Sequence, residues 1–127
     1  MSSHGTFATA INCMDGRTQL CVNAWAKKKF GVDFVDTITE PGPDGILAEM
    51  VSPLADSIKA RVRISVEKHG SENIILVAHH DCAGNPVEKG IHLAHLQKAA
   101  ENVAKWGFSV PIHCLWVNEH WEVEEIA

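Results

Sequence analysis

Apolar residues along the chain alternate between short continuous runs and longer stretches with helical spacing. Residues 6–12 (Thr-Phe-Ala-Thr-Ala-Ile-Asn) predict a short strand that ends just before Cys13. Residues 17–30 predict a helix in which Leu20, Ala24 and Lys27 or Lys28 mark successive turns, with Gly31 as its stop. Residues 32–39 are rich in β-branched and aromatic side chains, which favours a second strand. The stretch Glu40-Pro41-Gly42-Pro43-Asp44-Gly45 predicts a loop. A long helical pattern covers residues 46–69, with a break or restart at Pro53 and closure at Gly70.

Residues 73–79 give the clearest strand, an unbroken apolar run of the kind buried on both faces of a parallel sheet. Residues 81–86 predict a loop, 87–106 a helix, and 112–117 a last strand before an acidic tail that carries Trp121. The alternation of strands and helices predicts an α/β fold, with an open, mostly parallel, four-stranded sheet and helices on both faces. Ligands of such sheets bind beyond the C-terminal ends of the strands. Cys13, the Glu40 loop and residues 79–82 all fall at that edge.

A length of 127 residues fits one domain, spanning 1–127. The longest apolar runs are too short to cross a bilayer, so no membrane association is expected. Met1-Ser2-Ser3-His4-Gly5 lacks the basic and apolar regions of a signal peptide, which makes a cytoplasmic protein the expectation. A net charge of −5 argues against nucleic acid as a partner, because phosphate binding needs clustered Lys and Arg. The one basic cluster, Lys27-Lys28-Lys29, suits the C-terminal turn of a helix. Four cysteines without an export signal point to metal ligation or reactive thiols rather than disulfides, and eight histidines agree with the metal reading.

Two constellations carry the chemistry: Cys13-Met14-Asp15-Gly16-Arg17 and His79-His80-Asp81-Cys82-Ala83-Gly84. Two thiolates and an imidazole suit zinc, a borderline-soft ion that takes sulfur and nitrogen ligands. The gap between His79 and Cys82 lets one tight loop aim both side chains at a single ion. Cys13 would arrive from a neighbouring strand end. Three protein ligands leave a fourth position, which holds water in catalytic zinc sites.

Cys-x-Asp-x-Arg at one strand end and His-x-x-Cys at the next resemble the β-class carbonic anhydrases. The resemblance implies Cys13, His79 and Cys82 as zinc ligands and Asp15 and Arg17 as the catalytic pair. In that family the Asp accepts a hydrogen bond from zinc-bound hydroxide, or ligates zinc itself in a closed state, and the Arg keeps the Asp ionised and oriented. The implied activity is reversible hydration of carbon dioxide to bicarbonate, in a homodimer or larger homo-oligomer. The family's N-terminal helical arm, its bicarbonate-binding glutamine and its Arg-Asn-Ala-Gly stretch have no counterparts here. Gln19 and Gln97 are the only glutamines, and Glu40-Pro41-Gly42 ends the second strand. Two alternatives therefore stand: a zinc hydrolase of carbonyl sulfide or carbon disulfide, and a non-catalytic zinc protein whose site Asp15 or His80 closes.

Plainer readings apply to the remaining residues. Asp15 would cap a helix in any protein. Asp81 suits a loop cap and His80 a pocket residue. His92 and His95, three apart on a helix, fit one partly buried and one solvated histidine as well as a second metal site. Cys21 and Cys114 fit small buried hydrophobes. Trp25, Trp106, Trp116 and Trp121 fit the core or a subunit interface.

Overall fold

The computed structural model describes residues 5–126. Residues 1–4, on which the absence of an export signal was read, lie outside the described residues. The elements in chain order are β1 (Phe7–Cys13), a 3-10 turn (Gly16–Thr18), α1 (Gln19–Phe30), β2 (Phe34–Glu40) and α2 (Pro43–Leu47). They continue with α3 (Pro53–Lys68), β3 (Ile74–His79), α4 (Lys89–Ala104), β4 (Ile112–Val117) and β5 (Val123–Ile126). The strands form one sheet in the order β2-β1-β3-β4-β5, parallel except for β5.

The expected α/β architecture is thus present, with one strand more than the four expected. Residues 123–126 pair antiparallel with β4, Val117 lying opposite Val123 and Cys114 opposite Ile126. Their acidic sequence hid a strand whose pairing comes from the edge of β4. A second correction concerns the Glu40–Gly45 loop, whose last residues begin a helix. Pro43 stands in the first turn of α2, where a fixed φ helps and a missing N–H costs nothing. Pro53 likewise opens α3, so the 46–69 pattern is two helices separated by residues 48–52.

Helices cover both faces of the sheet. On one face, α2, α3 and α4 bury Leu47, Ile58, Val62, Leu96 and Val103 against Ile11, Ile74, Leu76 and Trp116. On the other, α1 buries Val22 and Ala26 against Ala10, Ile75, Val77 and Leu115. Leu20 and Ala24, which mark successive turns of α1, are exposed, Leu20 at 86%. The stripe that meets the sheet begins two residues later, and Leu20 sits in the first turn past the strand ends. β3 is buried at every position, as its apolar run required. Full burial of each such aliphatic side chain contributes about 1.5–3 kcal/mol.

The ladders around β1 differ in length. β1 pairs with β2 along its whole length, from Phe7 opposite Phe34 to Cys13 opposite Glu40. With β3 it pairs only from Thr9 opposite Ile74 to Ile11 opposite Leu76. Beyond that point the two strands part. Since β1 runs on to β2 on one side and β3 lies on the other, this gap is the switch point where open α/β sheets bind ligands.

Candidate metal centre

Cys13 ends β1 and His79 ends β3, so the parting strands bring both to the gap. The loop after β3 returns Cys82 to the same place. The two sulfurs lie 3.9 Å apart, and the three candidate ligand atoms all lie within 4.8 Å of one another. All three residues are buried. His79 Nδ1 donates to the main-chain carbonyl of His80 at 2.7 Å, which leaves Nε2 as the lone-pair nitrogen. That Nε2 is buried and has no hydrogen-bond partner. Metal-binding histidines are commonly oriented in this way.

Of the two thiols, that of Cys13 is already biased toward the thiolate. The hydrogen bond from Cys82 is the largest influence on Cys13 and holds its thiol at about 4, aided by the His79 ring and the N–H groups of Gly42 and Asp15. Cys82 is pushed up as the donor to that thiolate and by burial. Burial opposes charge on His79, but the neighbouring Cys13 thiolate and the His80 carbonyl outweigh this and raise it. A thiolate, a second thiol and an orphaned imidazole nitrogen make a donor set suited to zinc.

Two glycines let the loops converge. A Cβ at Gly84 would lie 2.4 Å from the Pro41 carbonyl carbon and 2.7 Å from the Gly42 nitrogen. The Gly42 loop and the Cys82 loop therefore touch backbone to backbone. Behind them Asn85 Nδ2 donates to Asp44 Oδ2 at 3.1 Å, and His92 Nδ1 donates to the same oxygen at 2.7 Å. His92 is fully buried and His95 half-buried, both beside Asp44, so the expected solvated partner is absent from this pair. They form no group with the candidate ligands.

Asp15 and Arg17 flank the cradle. Asp15 caps the 3-10 turn by accepting from the Arg17 main-chain N–H at 2.9 Å, as an Asp in that position would in any protein. It also accepts from Arg17 Nε at 3.0 Å and Nη2 at 2.7 Å. The Arg17 guanidinium is what holds the Asp15 carboxyl at about 2, and the same bonds push Arg17 upward. Asp15 Oδ2 stands 4.0 Å from His79 Nε2. Paired in this way, Asp15 faces Arg17. The His80 side chain is exposed and outside the group.

Sequence reasoning missed what holds Arg17. Asp81, read as a loop cap, accepts from Nη1 at 3.3 Å and, through its carbonyl, from Nη2 at 3.2 Å. Trp121, read as core or interface, packs on the α1-side cluster and places its ring 4.3 Å from the Arg17 guanidinium carbon. Trp116 is core, while Trp25 and Trp106 pack partly buried around it. Cys21 and Cys114 are half-buried rather than buried. Gln19 Nε2 donates to the carbonyls of Cys13 and Asp15 at 2.7 and 3.0 Å, bracing the first motif.

The sequence model of a protein family described as "Putative carbonic anhydrase" matches residues 3–127. Among curated proteins, no sequence matches the chain. Solved structures share its fold. A carbonic anhydrase from Streptococcus mutans superposes with a TM-score of 0.67 at 13% identity, over 94% of this chain and 81% of that one. A β-carbonic anhydrase from Trichomonas vaginalis gives 0.61 at 17% identity, over 94% and 81%. A tetrameric β-carbonic anhydrase from Sordaria macrospora gives 0.53 at 14% identity, over 94% and 80%.

Proposed function

The chain belongs to this carbonic anhydrase family, and on that premise we propose that it catalyses the reversible hydration of carbon dioxide to bicarbonate. In this reading Cys13, His79 and Cys82 hold a zinc ion, and Asp15 and Arg17 are the catalytic pair. The observation that carries it is the buried cradle with the unpartnered His79 Nε2, 4.0 Å from an Asp15 already engaged by Arg17.

Zinc in that cradle would supply a Lewis acid that brings the pKa of a bound water from about 15.7 to about 7. The protein's own groups do the rest. Asp15, ionised throughout the neutral range, is a pure acceptor there. It takes one hydrogen bond from the attacking oxygen and so turns a lone pair toward the carbon. Arg17 keeps Asp15 charged and fixed through paired, charge-assisted bonds. Asp15 is engaged by Arg17 and His80 is exposed outside the group, so neither candidate fourth ligand of a closed site is turned on the cradle, which favours the enzyme reading.

The 127 residues act as one zinc-binding domain in this reading. Four free cysteines suit the reducing cytoplasm, and no helix among the described residues is long and apolar enough to cross a membrane. Assembly into a homo-oligomer is supported by the outer edge of β2, which no described strand pairs and where Phe34 is 53% exposed. The Sordaria protein of the same fold is tetrameric.

Stopped-flow carbon dioxide hydration on metal-analysed protein, across roughly pH 6.5 to 9 where such a water titrates, tests the proposal. The expected result is zinc near one per chain and a rate that rises with pH, both lost in Cys82→Ala. Stoichiometric zinc with no hydration at any pH refutes the activity. Carbonyl sulfide hydrolysis by the same sample would then identify the alternative substrate.

A further inference from the structure

Backbone strain in the described chain gathers around one guanidinium. Three non-glycine residues have positive φ: Asp81 at 58°, Ser109 at 60° and Trp121 at 59°. That left-handed region crowds a side chain against its own backbone, most of all a bulky one. Ser109 lies in the exposed turn before β4. Asp81 and Trp121 come from different loops, yet both close on Arg17.

Asp81 uses two acceptors. Its carboxylate takes Nη1 and its carbonyl takes Nη2, so the strained φ serves to turn the carbonyl as well as the side chain toward Arg17. Trp121 covers the flat face at 4.3 Å, a cation–π arrangement. Its turn is fixed from within: Asn118 Oδ1 accepts from the N–H groups of His120 and Glu122, and the Trp121 N–H donates to the Asn118 carbonyl at 2.9 Å. Four of the five guanidinium N–H bonds then have acceptors, two on Asp15 and two on Asp81. Strained residues persist only where their surroundings over-determine them, and they cluster at functional sites.

We propose that Asp81 and Trp121 are positioning residues, which lock the Arg17 guanidinium between a strained loop and a strained hairpin turn so that Asp15 meets the reacting atoms in one orientation. This rests on the reading of Asp15 and Arg17 as the catalytic pair. Neither residue touches the reaction itself. The β4–β5 hairpin, which the sequence read as a tail, thereby becomes part of the site.

Glycine replacement relieves the strained φ while removing the side chain; at the exposed Asp81 this separates the role from packing, and at Trp121 the comparison with Trp121→Phe does so. In Asp81→Gly and Trp121→Gly, kcat for carbon dioxide hydration should fall tenfold or more, since small misplacements at a reacting centre are amplified to about a hundredfold. KM should stay within about twofold, zinc content should stay near one, and the thermal midpoint of Asp81→Gly should not drop. Asp81→Asn, whose side chain tolerates the left-handed region, should restore most of kcat, as should Trp121→Phe. A readout free of turnover is the Arg17 Nε–H signal in NMR of zinc-free and zinc-loaded protein. It should be sharp and slow to exchange in the wild type, and broadened in both glycine variants.

If Trp121→Gly does not fold, Trp121→Leu keeps apolar packing without a ring and serves the same comparison. An active wild type whose folded variants retain both kcat and a sharp Arg17 signal overturns the proposal. A wild type with zinc but no hydration refutes the functional reading instead, and the Arg17 signal still decides whether Asp81 and Trp121 hold the guanidinium.

Discussion

Asp15 shows how one side chain can cap a turn and also suit the chemistry proposed for it. The same carboxylate that caps the 3-10 turn is held by Arg17 at about 2, below its ordinary 3.8. A depressed carboxyl stabilises the fold above its unfolded pKa, and the contribution is lost as pH falls through the folded value. The wild-type thermal midpoint should therefore decline between about pH 4 and 2 with a component that Asp15→Asn lacks. Equal slopes for the two proteins in that range would mean that the pair contributes nothing to stability. Nothing in this acid window touches the neutral range, where Asp15 stays ionised, as the catalytic role proposed for it requires.

Among the elements, the two loops beyond β1 and β3 tolerate least change. Gly84→Ala would drive a methyl into the Pro41 and Gly42 backbones, which have no side chain to swing aside. The expected cost is about 3 kcal/mol, together with weakened zinc binding as the loops separate. Gly16→Ala, with nothing within 4 Å of the added methyl, should change stability by less than about 0.5 kcal/mol. Denaturant unfolding of the two variants reads the contrast directly, and similar losses in both would remove the loop contact as the cause. What the sequence revealed follows the same division. β3 was legible because a run buried on both faces has no polar position, and the clustering of Cys13, His79 and Cys82 because strand ends gather chemistry. α2 was hidden by Pro and Gly, β5 by its glutamates. The grip of Asp81 and Trp121 on Arg17 depends on left-handed turns, and Trp121 gives no signal of one, since glycine, asparagine and aspartate are the usual markers.

For the whole molecule, the shortness of the β1–β3 ladder matters most. Cys13 and the Gly42 loop lie on one side of that junction; His79, Asp81, Cys82 and Trp121 lie on the other. Zinc bound by this trio would bridge it, and a ligand that binds only the native state adds stability by mass action. At free zinc about a thousandfold above Kd this amounts to about 4 kcal/mol, worth roughly 10 °C or more in the midpoint for a chain of this size. Calorimetry before and after chelation should show that loss, and its reversal when zinc is returned. An unchanged midpoint would place the metal, if bound, outside this junction.

The same junction has a consequence for the order of folding. β1 and β2 pair within residues 7–40, and β3, β4 and β5 within residues 74–126, so each portion closes over a short stretch of chain. Joining the two requires the intervening residues to loop back, and contacts of that kind form late because chain entropy is lost before they reward it. A partly folded chain therefore holds Cys13 apart from His79 and Cys82 and offers an ion two sites too poor to keep it. If the cradle holds zinc as proposed, the finished sheet is the first species that could load it, and an ion there would mark a chain that has completed its last closure.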